Sequence, residues 1–291
     1  MAKARAIVKR RKAVRNIRKI TQTMQLIATA RFQKCLQRAT ASKPYTEKIG
    51  EMIQTLAGLE SVDHPLLRPN DGCERTVMLV ISANRGLCGA YNAAVLREAL
   101  SQRKRLLDQG LQPSIEMFGK KGVTYFRFLG IDLDSTTTDV EDRIAYARVA
   151  ALAEQYMRAY TEGRIGRVDV VYTRFHSMGV QRPAVAQLLP IEPPAGDDEA
   201  QRGRGRVEFE FSPPPETLLH HLIPETVKIE LFQYFNDAIL SEQVARMVAM
   251  KAATDAAGDM IKRLTGLYNR ARQSQITLEL ADIVGGAEAL K

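Results

Sequence analysis

Residues 241–290 read SEQVARMVAMKAATDAAGDMIKRLTGLYNRARQSQITLELADIVGGAEAL. Together with the preceding turns, from Glu225 to about Ile283, the chain carries no proline, two internal glycines (Gly258, Gly266) and many good helix formers. A continuous helix of about 59 residues extends roughly 88 Å at 1.5 Å per residue. A compact globule of this chain's 291 residues is only roughly 50 Å across. The helix cannot be housed inside its own domain.

Its apolar side follows Ala257, Ile261, Leu264, Tyr268, Ala271, Gln275, Leu278 and Asp282, in alternating steps of four and three. That spacing is the seam of a left-handed coiled coil. A matching narrow stripe occurs at the other end of the chain, where Val14, Ile17, Ile20, Met24 and Ile27 recur at helical spacing between Ile7 and Leu36. Pairing the two ends antiparallel predicts a helical rod projecting from the body between them. Ser42 and Pro44 suggest either a kink or a cap with a restart. Met24, Met247 and Met250 read first as ordinary core residues.

The middle has another character. TVMLVIS (76–82) is a β-branched and apolar run of the kind buried on both faces in a parallel sheet. A helix is predicted over about 90–107, then a strand at SIEMFG (114–119), a helix near 120–129, a long helix over about 140–160, and strands at 168–173 and 185–191. This alternation predicts an α/β fold: a three-layer, Rossmann-like domain with right-handed crossovers. The organisation expected is 1–58 as the N-terminal helix, 70–215 as the α/β domain and 216–291 as the C-terminal helix. Residues 58–74 form a linker, and the Pro/Gly-rich loop 192–216 holds one short alternating strand.

The net charge of +9 is localised. Residues 1–40 carry 12 Lys or Arg and no acid, and the rest of the chain is slightly acidic. Such a run suits a nucleic-acid arm, a membrane-surface helix or a face that meets an acidic protein. No stretch reaches the roughly 18–20 apolar residues of a membrane span, and no apolar signal core follows the basic start. The acid-free N-terminus resembles a transit peptide in composition, but the helical pattern begins within it.

Little points to catalysis. ISANRGLCGAYN (81–92) is a strand-to-helix turn where a phosphate or a nucleophile could sit, yet it lacks GxxxxGK[ST] and GxGxxG, and Cys88 has no nearby histidine. It reads as a structural turn. Cys35, Cys73 and Cys88 form no CxxC, and the adjacent His220 and His221 would point to different sides of a helix, so no metal is expected.

Three stretches, IRKITQTMQLIATARFQK (17–34), SANRGLCGAYN (82–92) and the quoted 241–290, closely resemble the gamma subunit of F-type ATP synthase. The resemblance implies a rotary central stalk whose terminal helices form an antiparallel coiled coil inside a ring of alpha and beta subunits. At its base lie the epsilon subunit and the membrane c-ring turned by proton flow. It implies no catalytic residue, no cofactor, no direct nucleotide site and no nucleic acid. Position by position, Met24 and Arg246 correspond to the contact with acidic levers of the beta subunits, and Gln273, Thr277 and Glu279 to a polar catch at the top of one beta subunit. A solvated helix face is the alternative for each. No cysteine matches the regulatory pair of chloroplast members. The location implied is peripheral, on the cytoplasmic face of a bacterial inner membrane. The competing expectation is a basic coiled-coil protein that binds nucleic acid, and a second is a thiol or nucleotide enzyme using Cys88.

Overall fold

The computed structural model describes residues 2–57, 64–70, 72–139, 143–191 and 215–288. Contacts divide the chain into a unit formed by residues 1–30 and 246–291 and a second formed by residues 31–245.

The larger unit is built on a sheet of β1 (Arg75–Ile81), β2 (Gln112–Phe118), β3 (Ser135–Thr137), β4 (Arg167–Ser177) and β5 (Val180–Leu189), in the order β3-β2-β1-β4-β5. The first four are mutually parallel, and β5 returns antiparallel to β4. Helices α2 (Tyr91–Asp108), α3 (Lys120–Phe128) and α4 (Tyr146–Thr161) make the connections. The terminal helices are α1 (Ala2–Ala57) and α5 (Pro215–Glu288).

The run TVMLVI explains the layering. Successive strand residues point to opposite faces. Met78 and Val80 enter a core with Val95, Leu96 and Ala99 of α2 and Phe126 of α3. Val77, Leu79 and Ile81 enter a second core with Val149, Ala153 and Tyr156 of α4 and Val227, Leu231 and Phe235 of α5. Every residue of β1 after Arg75 is buried, as a central strand covered on both faces requires. Asp169 of β4 is fully buried, and its carboxylate accepts hydrogen bonds from Gln102 Nε2 (2.7 Å) and Arg167 Nε (2.8 Å). A carboxylate at that depth needs such partners.

Within this unit α5 is fixed to the sheet by rings and hydrogen bonds. Phe118 meets Phe235 edge-on with centroids 4.8 Å apart, and Tyr172 stacks on Tyr234 at 4.7 Å. Tyr91 donates to the Ala238 carbonyl (3.1 Å) and Ser241 to that of Thr173 (3.2 Å). Lys228 bridges Glu225 (2.8 Å) and Glu154 of α4 (2.9 Å).

The three layers and the two long terminal helices agree with the expected fold class, with differences in detail, of which the antiparallel run of β5 is the first. Helix α1 continues through Ser42 and Pro44, so the cap-and-restart alternative does not hold. Helix α5 likewise passes Pro224 and begins at Pro215, one residue before the expected 216. Strand β3 was not expected; its three residues, Ser-Thr-Thr, carry no apolar signal. The helix expected from about residue 140 starts at Tyr146, and residues 140–142 lie outside the described residues, as does the short strand expected within 192–216.

Candidate partner-binding surface

The smaller unit is a pair of antiparallel helical segments. Val14 packs with Ala257 and Leu264, flanked by Ile7 and Ile261. The Arg11 guanidinium lies 5.1 Å from the centroid of the Tyr268 ring. Thr21 Oγ1 and Thr254 Oγ1 are 2.8 Å apart, and Arg18 borders Gly258. Partners on α5 rise in number as those on α1 fall, so the first residues of α1 reach only to about Gln275.

Burial follows that register. Ala257 and Leu264 are buried, and Ile261, Tyr268, Ala271 and Gln275 are half-buried. The α5 side of the expected seam therefore holds as far as Gln275. Leu278 and Asp282, expected to continue it, are exposed. From Ile276 to Ala287 every residue is exposed, including Leu278 (62%), Leu280 (60%) and Ile283 (69%). The physical reason is length: α5 outlasts its partner.

On α1 the seam differs from expectation. Ile17, Ile20 and Ile27 are exposed, Met24 is half-buried, and Val14 alone of the five is buried. The buried set is instead Val14, Thr21 and Ala28, at steps of seven, with Ile7 half-buried. Small residues there admit the other helix closely, while the isoleucines form a second apolar stripe roughly 80° around the helix axis at about 100° per residue. Lys9, Arg10, Lys12 and Lys19 are exposed beside it. An exposed apolar stripe with a basic rim marks a partner-binding surface.

The five residues singled out from sequence fall into different settings. Arg246 is buried, at 6% exposure, and Met24 is half-buried. Gln273, Thr277 and Glu279 are exposed. The Thr277 hydroxyl donates to the Gln273 carbonyl (3.0 Å), and these two share a side of the helix. Glu279 accepts from Gln275 Nε2 (2.8 Å) and, two residues beyond Thr277, sits on another side.

The turn 81–92 is tied to the start of α3. Backbone amides of Lys120, Lys121 and Gly122, the first of α3, donate to Asn84 Oδ1 (2.9 Å), the Ala83 carbonyl (3.1 Å) and Ser82 Oγ (3.0 Å). The Ser82 hydroxyl donates to the Phe118 carbonyl (2.8 Å). A Cβ on Gly119, whose φ is +100°, would stand 2.2 Å from the Ser82 carbonyl oxygen, and one on Gly122 2.3 Å from Met117 Sδ. Glycine is required for this approach. The first amides of α3 are thus occupied by the exit of β1. Buried Cys88 accepts from Asn92 Nδ2 (3.1 Å). His220 packs on His64 with centroids 5.0 Å apart, and no group of three metal-ligating side chains occurs among the described residues.

The family model described as ATP synthase matches residues 3–290. The chain is 48% identical over 297 residues to the ATP synthase gamma chain of Rhodopirellula baltica, covering 100% of both. The chain belongs to the ATP synthase gamma chain family. The gamma chain of Leptospira biflexa is 36% identical over 291 residues, again with full coverage of both. Among solved structures, a chain of the Euglena gracilis mitochondrial ATP synthase (OSCP/F1/c-ring) matches with a TM-score of 0.70 over 99% of this chain and 95% of that one, at 19% identity. A chain of the Tetrahymena thermophila central stalk/c-ring matches with a TM-score of 0.56 over 80% of this chain and 99% of that one, at 21% identity. The expectation of a nucleic-acid-binding coiled coil finds no support in these relatives.

Proposed function

We propose that this gamma chain is the central-stalk rotor of a proton-translocating F-type ATP synthase, coupling rotation of a membrane ring to ATP synthesis and hydrolysis on the beta subunits. It acts without a catalytic site or cofactor of its own. Its partners are the alpha and beta subunits of the catalytic hexamer, the epsilon subunit and the c-ring, and it sits peripherally on the cytoplasmic face of a bacterial inner membrane. The division of labour is 1–58 and 216–291 for the helical shaft and 70–215 for the α/β base.

The observation that carries this reading is the apolar surface on α1 and at the end of α5 that the chain leaves exposed. Ile17, Ile20 and Ile27, and the tip from Ile276 to Val284, are large apolar side chains for which a surrounding collar is the natural cover. Within the turn 81–92 the amides of Ser82, Ala83 and Tyr91 donate to protein acceptors, which supports a structural role for it. No described helix is long and apolar enough to cross a membrane, in keeping with a peripheral position.

Coupling requires that the orientation of the shaft change the relative energies of the states of the catalytic sites; a shaft that met each site equally would shift nothing. Met24 and Arg246 are assigned to the lever contacts and Gln273, Thr277 and Glu279 to the catch. Their roles are binding and orientation.

Reconstitution with alpha and beta subunits tests the proposal. A stable complex whose nucleotide hydrolysis depends on this chain is the expected result. A complex that forms and hydrolyses ATP identically without the chain would overturn it.

A further inference from the structure

At the end of the sheet where β1 and β2 begin, a cleft of about 360 Å³ opens between the strands and the last turn of α4. Arg75, Arg158 and Arg164 line it, with Ser114 and Glu116 of β2 and Tyr156. Three guanidiniums around one small cavity create a strongly positive space. Among the described residues, Arg75 and Arg158 have no ion-pair partner. Arg164 is held by Glu162 at 2.5 Å, but that pair is well exposed, at 60% and 50%, and readily exchanged.

The floor carries one carboxylate, that of Glu116, against the three guanidiniums. The Glu116 carboxylate accepts the Tyr156 hydroxyl at 2.7 Å. Burial pushes Glu116 upward in pKa, against the opposing effect of the Tyr156 bond, and nearby Asp134 pushes the same way as burial. Arginine's planar fork matches phosphate oxygens two at a time, which a lysine cannot do.

We infer that this cleft binds a phosphate-bearing anion, gripped by Arg75 and Arg158 and closed by Arg164. The phosphate comes either from a soluble diphosphate or from an anionic lipid headgroup. The inference is independent of the rotor reading, since it rests on the cleft alone.

The test uses the full chain at near-physiological salt, where long-range attraction between exposed charges is screened. Inorganic pyrophosphate is titrated by calorimetry, and vesicles of phosphatidylglycerol in phosphatidylcholine are assayed by flotation. Saturable pyrophosphate binding identifies a soluble source, and flotation without it identifies a headgroup. In either case Arg75→Ala/Arg158→Ala is expected to weaken binding by about tenfold or more. Arg75→Lys/Arg158→Lys, which keeps the charge and the fold, is expected to weaken it by about threefold or more. Arg97→Ala/Lys104→Ala, which removes the same charge from α2, is expected to leave it within about twofold. Absence of binding in both assays overturns the inference. So does a loss in the α2 control equal to that in the cleft variants, or full binding by the lysine variant.

Discussion

Thr21 and Thr254 place their hydroxyl oxygens 2.8 Å apart in the middle of the helical pair. Each hydroxyl also has a carbonyl on its own helix: Thr21 donates to Arg18 (3.0 Å), and Thr254 lies 2.8 Å from Met250 O. A buried polar contact with these local alternatives fixes the register of two helices at small cost. Thr21→Val/Thr254→Val removes both partners together and should change stability by less than about 1 kcal/mol. Thr21→Leu, by contrast, overpacks the seam and should cost about 1–3 kcal/mol. Circular dichroism of the full chain in denaturant distinguishes the two.

The tip of α5 makes a second case. From Ile276 to Ala287 it is exposed throughout, so deletion from residue 276 onward removes 12 residues that the isolated chain leaves uncovered. Its melting should stay within about 0.5 kcal/mol of the full chain. A larger loss would mean that the tip is packed against the chain itself.

Gly119 and Gly122 predict the opposite behaviour. Gly119→Ala must accommodate a Cβ at a φ of +100° and 2.2 Å from a backbone oxygen, whereas Gly122→Ala meets the softer Met117 side chain at 2.3 Å. Gly119→Ala should be the more damaging, by about 3 kcal/mol or more, and Gly122→Ala by about 1–3 kcal/mol. Equal tolerance of both would refute the close approach of α3 to β1. Chemical denaturation of each variant measures the difference.

Asp237 of α5 gives a pH signature. Burial raises its pKa from 3.8 to about 6, against the lowering effects of the Gln233 amide and of Arg174. A raised folded-state pKa means that the folded state holds the proton more tightly than the unfolded chain. The associated stability is complete below about pH 4 and lost as pH rises through about 6. Asp237→Asn should therefore gain stability relative to wild type as pH rises from 4.5 to 7.5. Unfolding free energies at those two values should show a widening gap, and a gap that narrows would reverse the assignment.

Much of this architecture was legible because periodicity reports it directly. The α5 positions from Ala257 to Gln275 face α1 because their spacing leaves no other continuous apolar side. On α1 the same method misled: Ile17, Ile20 and Ile27 form the stronger apolar stripe, whereas the helix buries Thr21 and Ala28, chosen for size. Hydrophobicity cannot tell a side that meets its own chain from one that awaits another protein. Strand β3 was hidden because Ser135, Thr136 and Thr137 earn their pairing from Glu116 to Phe118 across the edge, a relationship with no local trace. The structural character of the turn at 81–92 could be suspected from the missing phosphate motifs, but that Ser82 accepts the Gly122 amide of α3 required coordinates.

The exposed end of α5 has a consequence for how a rotor would be held. At about 100° per residue, Ile276, Leu280, Ile283 and Val284 fall within about 100° of one another around the helix axis, with Leu278 on the other side. A round pin would turn in its socket with a level energy profile. This tip is greasy on one flank, so each increment of rotation buries a different amount of hydrocarbon. It is shaped as a cam, and the angle at which it rests is itself a stored preference.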